Sequence, residues 1–260
     1  MRRGRALLLT LAVLVALAVG VDFGAAAAAE YQVAKRMRAE LGLATDPSVR
    51  IEGFPFLTQA ASGTYERVEV TAVGLPVGPL RDVGVEATLS DVRAPLGDVL
   101  GGGLASVPVG RVDGRVVVRD LDLGRAIGLE DLRIEPASEE ELAASLGGAA
   151  PPEADPTSAG VRLLATTDLS GSRTAVRAIG LVELEGTTVR LTASDVVFDD
   201  GTELPPAVEE ALLGALSTEV DPGELPFAVT PTGVDVETGS LVVAGTATGV
   251  TIDDAGLGFG

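Results

Sequence analysis

Sixteen consecutive uncharged residues, Ala6–Val21, stand between three arginines (Arg2, Arg3 and Arg5) and the first acid of the chain, Asp22. No other feature restricts the chain as strongly. Such a run satisfies its backbone as a helix, and its side chains call for an apolar surrounding. At about 1.5 Å of rise per residue it reaches roughly 24 Å, short of a hydrocarbon core of ~30 Å. That length suits a signal-peptide apolar region, or a short anchor that continues through Phe23–Ala29. The basic flank stays on the cytoplasmic side, so the chain beyond it faces outward. Ala25, Ala27 and Ala29 offer A-x-A cleavage sites, so residues 1–29 are expected either to stay as a tether at the plasma membrane or to be cut, releasing a secreted protein. The competing reading is a core helix at the chain terminus. Three arginines ahead of an uninterrupted apolar run follow the order of a targeting segment instead.

Residues 30–260 are expected to form the working domain, as one body or as two halves, 30–146 and 157–260. Leaving out the first 29 residues removes three arginines and one aspartate and takes the formal charge from −19 to −21. A surface that acidic offers nothing to neutralise phosphates, so nucleic acid is not an expected partner. It also gains nothing from general attraction to anionic lipid, so lipid contact must be apolar or guided by a few local arginines. Cys and His are both absent. Thiol catalysis, His-based triads and the usual zinc sites go with them, and no disulfide is expected. Trp is absent and only eight residues are aromatic, which argues against the stacking platforms of a carbohydrate-processing cleft.

Beyond the apolar run, Glu30–Leu43 carries Val33, Met37 and Leu41 at helical spacing, with Ala34 and Leu43 beside them. Lys35, Arg36 and Arg38 fall on the other side, facing lipid headgroups in one reading and water in the other. From Pro47 the pattern turns to period two: Ser48–Glu52, Tyr65–Val73, Val83–Leu89 and Arg111–Arg119 alternate apolar with polar residues. One polar face per strand means half-buried antiparallel sheet. Pro95–Leu104 reads as a weak helix. Ser138–Leu146 reads as a clear one, with Ser138 and Glu141 forming a capping box. Gly147–Pro156 is the best linker. Strands follow at Val161–Thr167, Ala175–Glu185 and Thr187–Phe198, with Glu185-Gly186 as a hairpin tip. Pro205–Leu216 is a helix, and Leu225–Thr230, Gly233–Glu237 and Ser240–Ile252 are further strands, with turns at Pro231–Gly233 and Glu237–Ser240. The expected fold class is α+β: long curved antiparallel sheet with a few packed helices, after an N-terminal membrane segment.

Adjacent acids recur at Asp120 and Asp122, Glu139–Glu141, Asp199-Asp200, Glu209-Glu210 and Asp253-Asp254. Glycoside hydrolysis needs two carboxylates at a fixed separation, and calcium needs several oxygens in one loop. In a chain this acidic, neighbouring acids arise without either chemistry, and Asp199-Asp200-Gly201 lacks the further spaced acids of a calcium loop. The single lysine, Lys35, sits among arginines that argue for a wet face rather than a Ser–Lys dyad. Gly101-Gly102-Gly103 has no following Lys-Ser/Thr to make a phosphate loop. No catalytic residue, metal site or cofactor is expected.

Gly53-Phe54-Pro55-Phe56-Leu57 places two of the eight aromatics around a proline at a strand end, where regular interior sheet is ruled out. The stretch from Val49 through Gln59, followed by Gly63, Tyr65 and Val68–Val70, resembles the start of the actinobacterial LmeA-like phospholipid-binding proteins, formerly a domain of unknown function. The N-terminal anchor, the basic helix, Asp46-Pro47 and the Leu204-Pro205-Pro206 helix start fit the same family, so the likeness covers most of residues 1–255. It implies a cell-envelope (periplasmic) protein that binds phospholipid, affects mannan-bearing glycolipids and has a tubular lipid-binding fold. It supplies no catalytic residues.

The reading that results is a non-enzymatic phospholipid-binding protein holding acyl chains in an apolar groove between sheet and helix. Phe54, Phe56 and Leu57 are its candidate lipid contacts. Two other readings remain. An enzyme modifying envelope polysaccharide or glycolipid would need a carboxylate pair in a cleft. A ligand-free structural envelope module would have a filled core.

Overall fold

The computed structural model describes residues 2–95, 97, 106–129, 131–147, 155–169, 172–220 and 229–252. Five helices and eleven strands fall among them. In chain order they are α1 (Arg2–Leu41), β1 (Ser48–Glu52), α2 (Phe56–Ser62), β2 (Thr64–Val77), β3 (Leu80–Arg93), β4 (Val107–Arg119), α3 (Asp120–Ile127) and β5 (Arg133–Pro136). There follow α4 (Glu139–Ser145), β6 (Ser158–Leu169), β7 (Ser172–Glu185), β8 (Thr188–Phe198), α5 (Pro206–Leu216), β9 (Thr218–Val220), β10 (Thr230–Glu237) and β11 (Ser240–Ile252). A six-stranded sheet runs β1-β2-β3-β4-β11-β10, and a five-stranded sheet runs β5-β6-β7-β8-β9. The chain is α+β, and β1–β2, β5–β9 and β10–β11 pair antiparallel, as the period-two pattern implies.

By contacts the described residues form two compact units. One lies within residues 1–71, 87–112 and 248–258, and the other within residues 72–86 and 113–247.

In the first unit, α1 is one continuous helix of 40 residues. Its N-terminal half leaves Leu7, Leu8, Leu9, Leu11, Leu14 and Leu17 exposed, and Ala6–Leu41 is long and apolar enough to cross a membrane. From Ala29 onward the same helix has a buried face, with Ala34 and Met37 at helical spacing and Leu43 just past its end. The apolar segment and the amphipathic segment read separately from the sequence are thus a single rod.

The second unit carries a dense aliphatic core in which Leu75, Val83, Leu132, Ile134, Val161, Leu163, Val182, Val196 and Leu216 are almost fully buried. Strand β8 shows how period-two burial survives an irregularity. Ile179 pairs with Asp195 while Gly180 pairs with Ala193, so Ser194 is an extra residue. Leu191 and Ala193 face the core before this bulge and Val196 after it, a one-residue change of phase. A Cβ on Gly180 would sit 2.5 Å from the Thr192 carbonyl, so only glycine allows this approach. The hairpin tip expected at Glu185-Gly186 is present: Glu185 pairs with Thr188, and Gly186 has φ +66°.

Two sequence expectations change and one element is new. Pro231–Gly233 is not a turn but a bulge inside β10, an edge strand of its sheet, which is where proline is tolerated. The Gly53–Leu57 segment does not merely end a strand, because Phe56 begins α2. Asp120–Ile127 is a helix the sequence did not suggest, closed by Gly128 in the left-handed region. Of the other expected elements, most of Pro95–Leu104, Gly147–Pro156 and Leu225–Thr230, together with Asp253-Asp254, lies outside the described residues.

Helix α3 is placed by an acid. Asp122 is 3% exposed, and its carboxylate accepts the backbone N–H groups of Arg81 at 2.9 Å and Asp82 at 3.0 Å, at the start of β3. Replacing it leaves two part-buried donors without this acceptor. Asp122→Ala is expected to lower stability by about 2 kcal/mol or more in urea or thermal melts. Asp122→Asn, which keeps one acceptor oxygen, is expected to fall between it and the wild type.

The capping box at α4 is present as read: Ser138 accepts from the Glu141 N–H, and the Glu141 carboxylate accepts from the Ser138 N–H at 2.9 Å. That backbone hydrogen bond, then the Ser138 hydroxyl and Arg162, hold the Glu141 carboxyl below the usual carboxylate range. A depressed folded-state pKa gives stability that is present above the unfolded value and lost as pH falls through the folded one. The gap in melting temperature between wild type and Glu141→Gln is therefore expected to be widest near neutral pH. It should narrow below pH about 4.3, with a total effect of about 0.5 kcal/mol after solvent screening.

Candidate functional site

Two places in the structure combine apolar surface with definite architecture, one in each unit. In the first unit it is the tip between β1 and α2. Gly53 turns the chain at φ +98°, and a side chain there would strike the Gln59 amide at 2.6 Å. Gln59 is itself buried, with Nε2 donating to the Glu52 carbonyl and Oε1 accepting the Glu66 N–H, so one amide joins β1, α2 and β2. Pro55 stands at the N-cap of α2 and offers no side-chain acceptor. The first N–H groups of the helix point instead at Asp22 on α1. Phe56 donates at 2.9 Å and Leu57 at 2.8 Å, one to each carboxylate oxygen. A second tie runs from the Ile51 N–H to Glu30 on the same helix.

The three aromatic and aliphatic residues singled out from the sequence take different positions on this tip. Phe56 is buried, its ring 6.2 Å from that of Tyr65. Phe54 and Leu57 face outward, 62% and 45% exposed. Phe54 is not isolated, because its ring stacks on Phe23 of α1 with centroids 6.1 Å apart, and Phe23 is as exposed as Phe54. The structure therefore adds Phe23 to the outward pair. Tyr65 is deeply buried, and burial pushes its phenol pKa up.

The second place is an apolar cleft inside the second unit. Val77, Val83, Val116, Leu123, Leu191 and Leu241 are among its walls, and of all its lining residues only Thr218 carries a side-chain polar atom. Strands of both sheets contribute, together with α3. Its enclosed volume is about 60 Å³. The alternating Val positions made individual inward faces visible in the sequence. Which strands oppose one another across the gap could not be read, because that pairing is set by tertiary packing.

A larger open depression of about 610 Å³ in the same unit is bordered by Asp120, Asp131, Asp199 and Arg133. Hydrogen bonds from Thr166 hold the Asp131 carboxyl below its ordinary range. General-acid chemistry calls for a carboxyl pushed the opposite way. Among the described residues, no group of three or more carboxylates is placed to hold a metal ion. Of the other acids noted in the sequence, Asp122 ties β3, and Glu141 caps α4 and pairs with Arg162. Lys35 is exposed on α1.

A family model described as LmeA-like phospholipid-binding matches residues 20–246. No curated protein and no solved structure matches the chain.

Removing the Asp22 carboxylate leaves the first two donors of α2 without partners. Asp22→Ala is expected to cost about 1–2 kcal/mol at the helix start. Hydrogen exchange is the appropriate readout: amides of Gln59 and Ala60 should lose protection by about tenfold, the equivalent of ~1.4 kcal/mol. Unchanged exchange across α2 in Asp22→Ala would show that the cap contributes nothing.

Proposed function

The chain belongs to the LmeA-like phospholipid-binding family, and on that premise we propose that it is a non-enzymatic envelope protein that shelters phospholipid acyl chains in the apolar cleft of its second unit. The lining of that cleft, Val and Leu at nearly every position, is the observation that carries the reading. Burial drives the binding, at about 0.8 kcal/mol per methylene removed from water, less the cost of ordering chain and protein. A volume of about 60 Å³ is that of roughly two water molecules, so a chain of many methylenes enters as the facing strands part. The groove therefore lies between strands of the two sheets, with α3 at one side, rather than between one sheet and a helix. In the envelope, such a carrier supports the maturation of mannan-bearing glycolipids by supplying or withdrawing phospholipid.

In this reading α1 is a retained tether in the plasma membrane. Arg2, Arg3 and Arg5 lie on the cytoplasmic side and residues 30–260 form the outward-facing lipid-binding part. Cleavage at Ala25, Ala27 or Ala29 would remove Asp22 and Phe23. Asp22 is the acceptor for the start of α2 and Phe23 is the stacking partner of Phe54. The family match, which begins at residue 20, takes in both.

Full-length protein purified in detergent is expected to co-purify phospholipid and to take up a fluorescent phospholipid analogue. Val118 and Val189 line the cleft and are only half-buried, so a larger side chain fits there with little strain on the core. Val118→Trp and Val189→Trp are each expected to weaken uptake by about tenfold, or ~1.4 kcal/mol, with circular dichroism unchanged. Uptake by both variants at the wild-type level would exclude this cleft, and a wild type that carries and acquires no phospholipid would refute the reading as a whole.

A further inference from the structure

Resting on the reading of α1 as a retained tether, we propose that Phe23, Phe54 and Leu57 form a membrane-insertion platform seated in the outer interface of the bilayer that α1 crosses. The occupant of this surface is the lipid of that leaflet. Three observations in the first unit converge on it. The first is axial position: from Arg5 to Phe23 the helix rises roughly 27 Å, close to the ~30 Å of a hydrocarbon core. With the arginines at the inner boundary, Phe23 arrives at the outer one. The second is continuity. Leu11, Val13, Leu14, Val15, Leu17 and Val21 are each more than half exposed, and Phe23 extends that surface on the same helix. The third is the lateral extension. Phe54 stacks on Phe23 and Leu57 lies three residues on, so the apolar surface passes from α1 onto a different part of the chain without a break at the ring pair.

The polar groups at this level are consistent with the same placement. A carboxylate and two helix N–H groups at the edge of hydrocarbon would each need a partner. Asp22 with Phe56 and Leu57 forms a closed set in which both carboxylate oxygens accept, and Asp22 is only 5% exposed. Aromatic and aliphatic side chains displayed around a satisfied polar centre have the composition of an interfacial anchor. Phe56 takes no part in lipid contact; packed on Tyr65, it holds the platform to the rest of the unit.

The chain has no cysteine, so single-cysteine variants report one position each. Leu14→Cys, Glu40→Cys, Phe54→Cys and Leu57→Cys, labelled with an environment-sensitive fluorophore, are reconstituted as full-length protein. The vesicles contain phosphatidylcholine and phosphatidylglycerol, with doxyl-labelled phosphatidylcholine carrying the quencher at a shallow or a deep position. Labels at 54 and 57 are expected to be blue-shifted and to lose roughly half of their emission to the shallow quencher, as interfacial positions do. The label at 40 should respond only to aqueous iodide, and the label at 14 to the deep quencher. Adding Asp22→Ala should release the labels at 54 and 57 to iodide while leaving 14 quenched. If 14 is quenched in lipid but 54 and 57 behave like 40, the platform is refuted and the tether stands. If 14 itself escapes the deep quencher, the tether reading has failed.

Discussion

A carboxylate at the end of an apolar run is expensive unless something replaces its water, and Asp22, midway along α1, is placed where the replacement is the start of another helix. The first N–H groups of an α-helix have no partners within it, and together they carry roughly half a positive charge. Pro55 cannot cap α2 with its own side chain, so the acceptor comes from 34 and 35 residues earlier in the chain. A helix cap of this kind contributes about 1–2 kcal/mol. The pair fixes the direction of α2, and with it the burial of Phe56 against Tyr65 and the Gln59 amide that joins β1 to β2. The same contact ties residue 22 of α1 to the start of α2, 34 residues further along the chain.

The second unit solves a similar problem in the same way. Among the described residues the buried acids are Asp22 and Asp122, and both accept backbone N–H groups rather than pairing with arginine. The arginines work at the surface, where Arg67, Arg115, Arg119 and Arg190 meet acids across neighbouring strands. Exposed pairs of that kind contribute between nothing and about 1 kcal/mol each. A chain with twice as many acids as bases thus keeps most of its excess charge in water. Among the described residues, carboxylates are buried where unpaired backbone donors receive them.

How much could be read beforehand followed the range of the interactions involved. Period-two alternation marked β1, β2, β3 and β4, because a strand with one face on a core and one in water shows it locally. The capping box of α4 was legible because its partners are three residues apart. Helix α3 was not, since Asp120-Leu121-Asp122-Leu123 mimics strand alternation and only the contact of Asp122 with β3 selects the helix. Phe54, Phe56 and Leu57 stood out as a group by composition, yet nothing local separates the buried ring from the exposed one. Their sorting depends on Asp22 and Tyr65, which are distant in sequence. Phe23 could not be joined to Phe54 for the same reason.

The scarcity of aromatics connects the core to the proposed role. A cleft walled by Val is bounded by side chains with few rotamers, so its walls keep their shape while contributing little contact area apiece. Parting such walls forfeits fewer dispersion contacts than separating interlocked Phe or Trp, and an incoming acyl chain restores contacts of the same kind. Leucines at 123, 191 and 241 supply the longer reach. A core built for maximum stability would fill this gap with rings. Small branched residues on opposing strands are the composition expected where the interior exchanges protein–protein for protein–lipid contact.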